Sequence, residues 1–200
     1  MRRDFDIVKR QRVYDGHFKI DQFRLRHRLF EGGWSSEMTR EVFERGHASA
    51  VLPYDPIRDE VILIEQFRVG AIDIPGGPWL LEIVAGVIEE GESPAEVARR
   101  ESFEEAGREI FALEPICEYL SSPGGCSERV SLFCGQVDAA GAGGIFGLAT
   151  EDEDIQVRVL PFTDALGEIS SQPVSTASAM IAMQWLTLNR ERLRIAWGAP

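Results

Sequence analysis

The sequence predicts an α/β (α+β) chain, an α/β/α sandwich around a mixed sheet, with an antiparallel β module at its N-terminus. Three observations carry this. From residue 46 onward, strand and helix patterns interleave, the order that builds a layered sandwich. Before that point, apolar and ring residues alternate with arginine. Between two strand runs lies one helix with both a start and a stop signal, Ser93-Pro-Ala-Glu96 and Gly107.

Taken in order, residues 10–45 read as β-structure. In Phe23-Arg-Leu-Arg-His-Arg-Leu29 the period is two, as in a strand covered on one face. Glu31-Gly-Gly-Trp34 is a turn, and Ser36 to Phe43 is the returning strand. Such a hairpin is marginal alone, so it should pack on the rest of the chain or on a second subunit. The expected division is a β module over 1–45 and a second domain over 46–200. In that domain, Ala48–Pro53 and Val61–Phe67 flank a turn at Asp55–Asp59 and read as a buried hairpin. Trp79–Val84 is a further strand. Strands follow near 116–121, 129–138 and 155–160, then a short helix over 162–169. A longer helix from about Ser175 to Arg194 carries Ala179, Met183, Leu186 and Arg190 at helical spacing. One helix is expected on each face of the sheet. Ala139 to Gly144 reads as a loose loop.

A formal charge of −12 disfavours binding to nucleic-acid backbones, which takes a basic face. No apolar run approaches the roughly 18–20 residues of a spanning helix, and the N-terminus lacks the apolar stretch of a secretory signal. Three cysteines without metal-ligand spacing, Cys117, Cys126 and Cys134, fit a reduced cytoplasm. Residues 1–45 hold nine arginines and both lysines, whereas 81–105 and 150–154 are acidic. An acidic site that is to take a polyanion needs cations between the two.

The decisive stretch is Gly86-Val-Ile-Glu-Glu-Gly-Glu92-Ser-Pro-Ala-Glu-Val-Ala-Arg-Arg100-Glu101-Ser-Phe-Glu104-Glu105-Ala-Gly107. Its helix carries Glu101 and Glu105 four apart, with Glu104 beside them. Like charges at that spacing destabilise a helix by roughly 0.2–0.5 kcal/mol per pair, so a bound cation there would relieve a real cost. Carboxylate oxygens without His or Cys suit hard ions such as Mg²⁺ or Mn²⁺. Arg100 can reach Glu104 at i+4. Ala95, Ala98, Ser102 and Ala106 form a small-residue stripe for close packing on the sheet. An isolated E-x-x-E-E would be an ordinary acidic helix face.

The whole stretch, however, resembles the Nudix box. Glycine, five residues, glutamate, seven residues, arginine-glutamate, a pair, two glutamates, one residue and glycine are all present. A chance match at average residue frequencies is on the order of one in a million. Ser102 and Arg108 stand where the pattern prefers aliphatic residues. The resemblance extends over nearly the whole chain, to the bacterial ADP-ribose pyrophosphatase branch. Pro123 lies sixteen residues after Gly107, the spacing of that branch. Glu44-Arg-Gly-His47, Ile64-Glu-Gln-Phe-Arg68, Trp79-Leu-Leu-Glu82, Gly147 to Ile155 and Met183-Gln-Trp-Leu186 match it too.

The resemblance implies Mg²⁺, with Mn²⁺ able to substitute, bound by the Ala85 carbonyl, Glu101, Glu105 and Glu153. Gly86, Glu92, Arg100, Glu104 and Gly107 would support the box, and Glu151 would be the base that activates water. Substrate would meet Arg40, Glu41, Arg45, Arg68, the Val87 backbone, Ser122 and, from a second subunit of a homodimer, Glu128. Adenine would stack at His17, beside Phe18, where the branch carries a larger aromatic. Arg45 and Arg68 could instead be ion-pair partners in the fold. The expected partner is a small nucleotide sugar, ADP-ribose, rather than nucleic acid or membrane. GDP-mannose is the nearest rival substrate, and a non-catalytic ADP-ribose sensor is a more distant reading.

Overall fold

The computed structural model describes residues 4–148, 150 and 152–198. The chain divides into two compact units, Met1–His47 with Leu120–Arg129, and Ala48–Tyr119 with Val130–Pro200.

In the first unit, β1 (Phe5–Asp15), β2 (Lys19–His27) and β3 (Met38–Glu44) form a three-stranded antiparallel sheet. The alternation read in Phe23–Leu29 runs along β2 and past its end at His27, and β1 begins earlier than residue 10. Strand β2 is central, flanked by β1 and β3, and it carries the buried Asp21, 3% exposed. Arg10 donates to Asp21 from Nε and Nη2 at 2.9 and 2.6 Å, and Arg12 donates from Nε. These donors hold the Asp21 carboxyl at about 2, well below its ordinary value. Residues 120–129 join this unit through the Phe43 N–H, which donates to the Gly125 carbonyl at 2.8 Å.

The second unit is built on an eight-stranded mixed sheet. Its strands are β4 (Ala48–Asp55), β5 (Glu60–Phe67), β6 (Trp79–Glu82), β7 (Val84–Val87), β8 (Ala112–Leu120), β9 (Arg129–Gln136), β10 (Gly144–Phe146) and β11 (Ile155–Pro161). The path runs β10-β11-β5-β4-β9-β8, with β6 on β5 and β7 on β4. Strands β4 and β9 are parallel, and the other registered pairs are antiparallel. The predicted hairpin over 48–67 forms, closed by Tyr54 opposite Val61.

Alternation along β4 and β5 sends side chains to two separate cores. Val51, Ile62 and Ile64 pack with Ala98 and Ala106 of α1 (Pro94–Ala106). Leu52, Val61 and Leu63 pack with α2 (Phe162–Ser171) and α3 (Ala177–Gly198). That second face therefore carries two helices rather than the one expected. Phe162, Ala165 and Ile169 of α2 are each buried in the same core as Met183 and Leu186 of α3. Arg190, the polar member of the α3 stripe, ion-pairs with Asp59 in the β4–β5 turn. No helix among the described residues is long and apolar enough to cross a membrane.

One local reading differs from the structure. The stretch taken as loose loop ends in β10, where Phe146 beyond its glycines packs on the core under α1. Of the cysteines, Cys134 is fully buried and Cys126 partly so.

Candidate active site

Helix α1 is set by its own sequence. Ser93 accepts from the Glu96 N–H while Glu96 accepts from Ser93, closing the capping box with Pro94 at the first turn. Gly107 ends the helix at φ 61°, and a Cβ there would meet the Phe146 ring at 2.6 Å. Both the left-handed backbone and the close ring demand glycine.

With the helix fixed at both ends, its carboxylates lie against β7. Glu105 is 2% exposed and accepts the Ala85 N–H at 3.0 Å. Glu101 lies over Gly86, where a Cβ would come within 1.7 Å of Oε1. The box glycine is therefore a cradle for the box glutamate. Arg100 ties the motif together, donating to Glu92 at 3.0 Å, Glu101 at 2.8 Å and Glu104 at 2.9 Å. Glu92 also accepts the Glu89 N–H, fixing the loop before the helix. Glu153 accepts the Leu148 N–H at 3.1 Å and packs on Gly147, whose φ is 103°.

The electrostatics mark Glu105 apart. Loss of water pushes its carboxyl up to about 8, the Ala85 N–H opposes this, and the Glu101 and Glu153 charges raise it further. Arg68 acts in the opposite direction. Burial also raises Glu101, against the pull of Arg100. Each of these three carboxylates gives an oxygen to a protein donor, and among the described residues no three His, Cys, Asp or Glu side chains close into a cage. The donor set is all oxygen, with Glu105 buried and Glu101 and Glu153 partly so, which fits a hard divalent cation.

The remaining predicted residues distribute as follows. Val87 ends β7 and is 46% exposed. Arg68 pairs with Glu82 at 2.7 Å. In the first unit, His17 and Phe18 meet edge-on at 4.5 Å, and Phe18 meets Phe43 at 5.0 Å. Arg45 pairs with Glu128 of the same chain at 3.3 Å. Arg40 and Glu41 are exposed on β3, and the Ser122 carbonyl accepts the Cys126 N–H at 2.8 Å. Glu151 lies outside the described residues. Arg45 and Arg68 thus each have an ion-pair partner in the structure, and each remains partly exposed. Sequence reasoning passed over Glu82 as the partner of Arg68, and over Gln66. Period two in Val61–Phe67 places Gln66 on the inward row of Ile62 and Ile64, a signal that was available.

A family model of the NUDIX domain matches residues 44–179. The chain is 50% identical over 196 residues to an ADP-ribose pyrophosphatase of Escherichia coli (strain K12), covering 98% of this chain and 94% of that protein. It is 44% identical over 198 residues to an ADP-ribose pyrophosphatase of Haemophilus influenzae, covering 98% and 91%. A GDP-mannose pyrophosphatase of Cronobacter sakazakii is 37% identical over 151 residues, covering 74% and 78%. A solved structure described as an ADP compounds hydrolase superposes with a TM-score of 0.71 at 20% identity, covering 98% and 97%, a likeness of fold. The box glutamates held against β7, the glycine that cradles one of them and the matched family model lead to one conclusion: this chain is a member of the Nudix hydrolase family.

Proposed function

We propose that this Nudix enzyme hydrolyses the pyrophosphate bond of ADP-ribose to AMP and ribose 5-phosphate, using a divalent cation, Mg²⁺ or in its place Mn²⁺. The observation that carries the reading is similarity at 50% identity, along 98% of the chain, to a protein named for that activity, joined to a complete box.

The Ala85 carbonyl with Glu101, Glu105 and Glu153 would hold the cation. When bound, it neutralises charge on the pyrophosphate and acidifies water. The chain's own work is then positioning and proton transfer. Arg100 orients Glu101 and Glu104, so the helix presents its carboxylates in one arrangement. Glu151 takes the proton from the attacking water. Arg40, Arg45 and Arg68 offer forked donors to phosphate oxygens, with Glu41, Ser122 and the Val87 backbone fixing the rest of the substrate. The adenine stacks at His17 and Phe18. We also assign the 1–45 module to dimerisation and substrate binding, with Glu128 serving the site of a second subunit, and the enzyme to the cytoplasm.

Similarity to a GDP-mannose pyrophosphatase over 74% of the chain favours a second reading, another nucleotide sugar cut by the same groups. A substrate panel decides: products are counted for ADP-ribose, GDP-mannose and other nucleotide sugars at fixed Mg²⁺. ADP-ribose should give the highest kcat/KM. A clear preference for GDP-mannose selects the second reading, and no turnover of any of them overturns both.

A further inference from the structure

Gln66, on β5, is 6% exposed, and its amide Nε2 has no hydrogen-bond partner. Buried polar side chains are nearly always satisfied, so an idle donor calls for a reason. Its place in the sheet supplies one. Ile62 and Ile64 lie in the core under α1, and alternation puts Gln66 on the same side. Its cross-strand partner is Ile155, which belongs to that core as well. Two residues after Gln66 stands Arg68 and two before Ile155 stands Glu153, both just past the same end of this antiparallel pair, and the charges of both reach Glu105. Gln66 thus sits where the apolar row under α1 stops and the acidic cluster begins.

We propose that Gln66 is a further binding residue of this site, its carboxamide N–H₂ donating to an oxygen held at the Glu101, Glu105 and Glu153 cluster. That oxygen belongs to a substrate phosphate or to a water at the cluster. The inference rests on the proposed hydrolysis at this cluster, whichever nucleotide sugar proves to be the substrate.

Gln66→Met tests it, because methionine keeps the length and removes the donor. A side chain that serves only the fold and an amide that serves a ligand give opposite results. An amide N–H₂ with no protein partner loses no hydrogen bond on removal, so the ligand-free variant should melt at the same temperature as the parent or higher. Its kcat/KM on the best substrate of the panel should fall by roughly tenfold to a hundredfold, the effect of one hydrogen bond to a charged group. Calorimetry with Mn²⁺ alone and with inorganic pyrophosphate in the presence of Mn²⁺ separates the two oxygens. Weaker pyrophosphate binding with normal Mn²⁺ binding identifies a phosphate oxygen, and weaker Mn²⁺ binding identifies a water. A variant that melts clearly lower without ligand, or one that keeps parental kcat/KM, overturns the proposal. If the parent cleaves no nucleotide sugar, the proposed reaction fails on its own. The Mn²⁺ and pyrophosphate titrations then decide Gln66, and unchanged affinities reject it.

Discussion

Asp21 in the N-terminal sheet and Glu105 on α1 are both buried carboxylates, at 3% and 2% exposure, yet their protons behave in opposite ways. The Asp21 carboxyl sits at about 2 because Arg12 and Arg10 donate to it. The Glu105 carboxyl is pushed up to about 8 because burial is offset only by a backbone N–H and a distant arginine, with two further glutamates adding repulsion. The first region brings its own cations and completes a fold. The second gathers negative charge that Arg100, bound to Glu92, Glu101 and Glu104, and Arg68 offset only in part, which makes sense when the balancing charge arrives with a ligand. Strained electrostatics of this kind mark functional sites more often than structural ones.

The largest effects should come from the second region. A chelator should abolish hydrolysis and added Mg²⁺ should restore it. Glu151→Gln keeps size and hydrogen bonding but loses basicity, so kcat should fall by roughly 10²–10⁴-fold with Mg²⁺ affinity intact. Glu105→Gln should instead weaken Mg²⁺ binding, and high Mg²⁺ should recover part of its rate. Paired Mg²⁺ titrations of rate separate the two roles. Rescue of Glu151→Gln by high Mg²⁺ would remove Glu151 as the base.

In the first region the expected effect is on stability. Asp21→Asn leaves Arg10 and Arg12 facing a neutral acceptor, so thermal melting should drop by a few degrees at pH 7. The sign follows from the lowered carboxyl: stability is present above the ordinary value of 3.8 and lost as pH falls towards about 2. The variant should therefore lose less than the parent over that acid range. An equal loss in both would mean that the two arginines do not set the Asp21 carboxyl.

The smallest expected effect is at His17. If adenine stacks there, His17→Phe offers a larger ring and should lower KM for ADP-ribose with kcat nearly unchanged, as uniform binding requires. Full stacking on an aromatic is worth roughly 1–3 kcal/mol, and exchanging one ring for another should move only part of that. An unchanged KM would assign the base to Phe18 or another side chain.

The difference between the regions also explains what could be read from sequence. Helix α1 was legible at both ends because capping box and αL glycine are local rules, settled within a few residues. Strands β4 and β5 were legible from apolar runs broken by an Asp-Pro turn. Strand β10 was not, since its glycines hide an edge strand set by its pairing with β11 and by Phe146 packing beside Gly107. Nor was the doubling of helices on one face, which depends on where α2 returns. At the site, the box located Glu101 and Glu105. Their burial, the Gly86 cradle and the Arg68–Glu82 pair are products of tertiary packing that spacing alone does not encode. Asp21 is the converse case: its sequence context, Ile-Asp-Gln, gives no sign that two arginines from the neighbouring strand will enclose it.

The central claim is that Glu105 awaits an external cation, and melting temperature against pH tests it most directly. A carboxyl raised above its ordinary value keeps a proton in the folded state that the unfolded chain has lost, so stability falls as pH rises from 4.5 to about 8. The slope from this group is at most about 1.4 kcal/mol per pH unit. The metal-free parent should lose more stability between pH 5 and pH 8 than Glu105→Gln does. Mg²⁺ at pH 8 should recover the difference in the parent and far less of it in the variant. Parallel curves for the two proteins, or an equal gain from Mg²⁺ in both, would contradict the account.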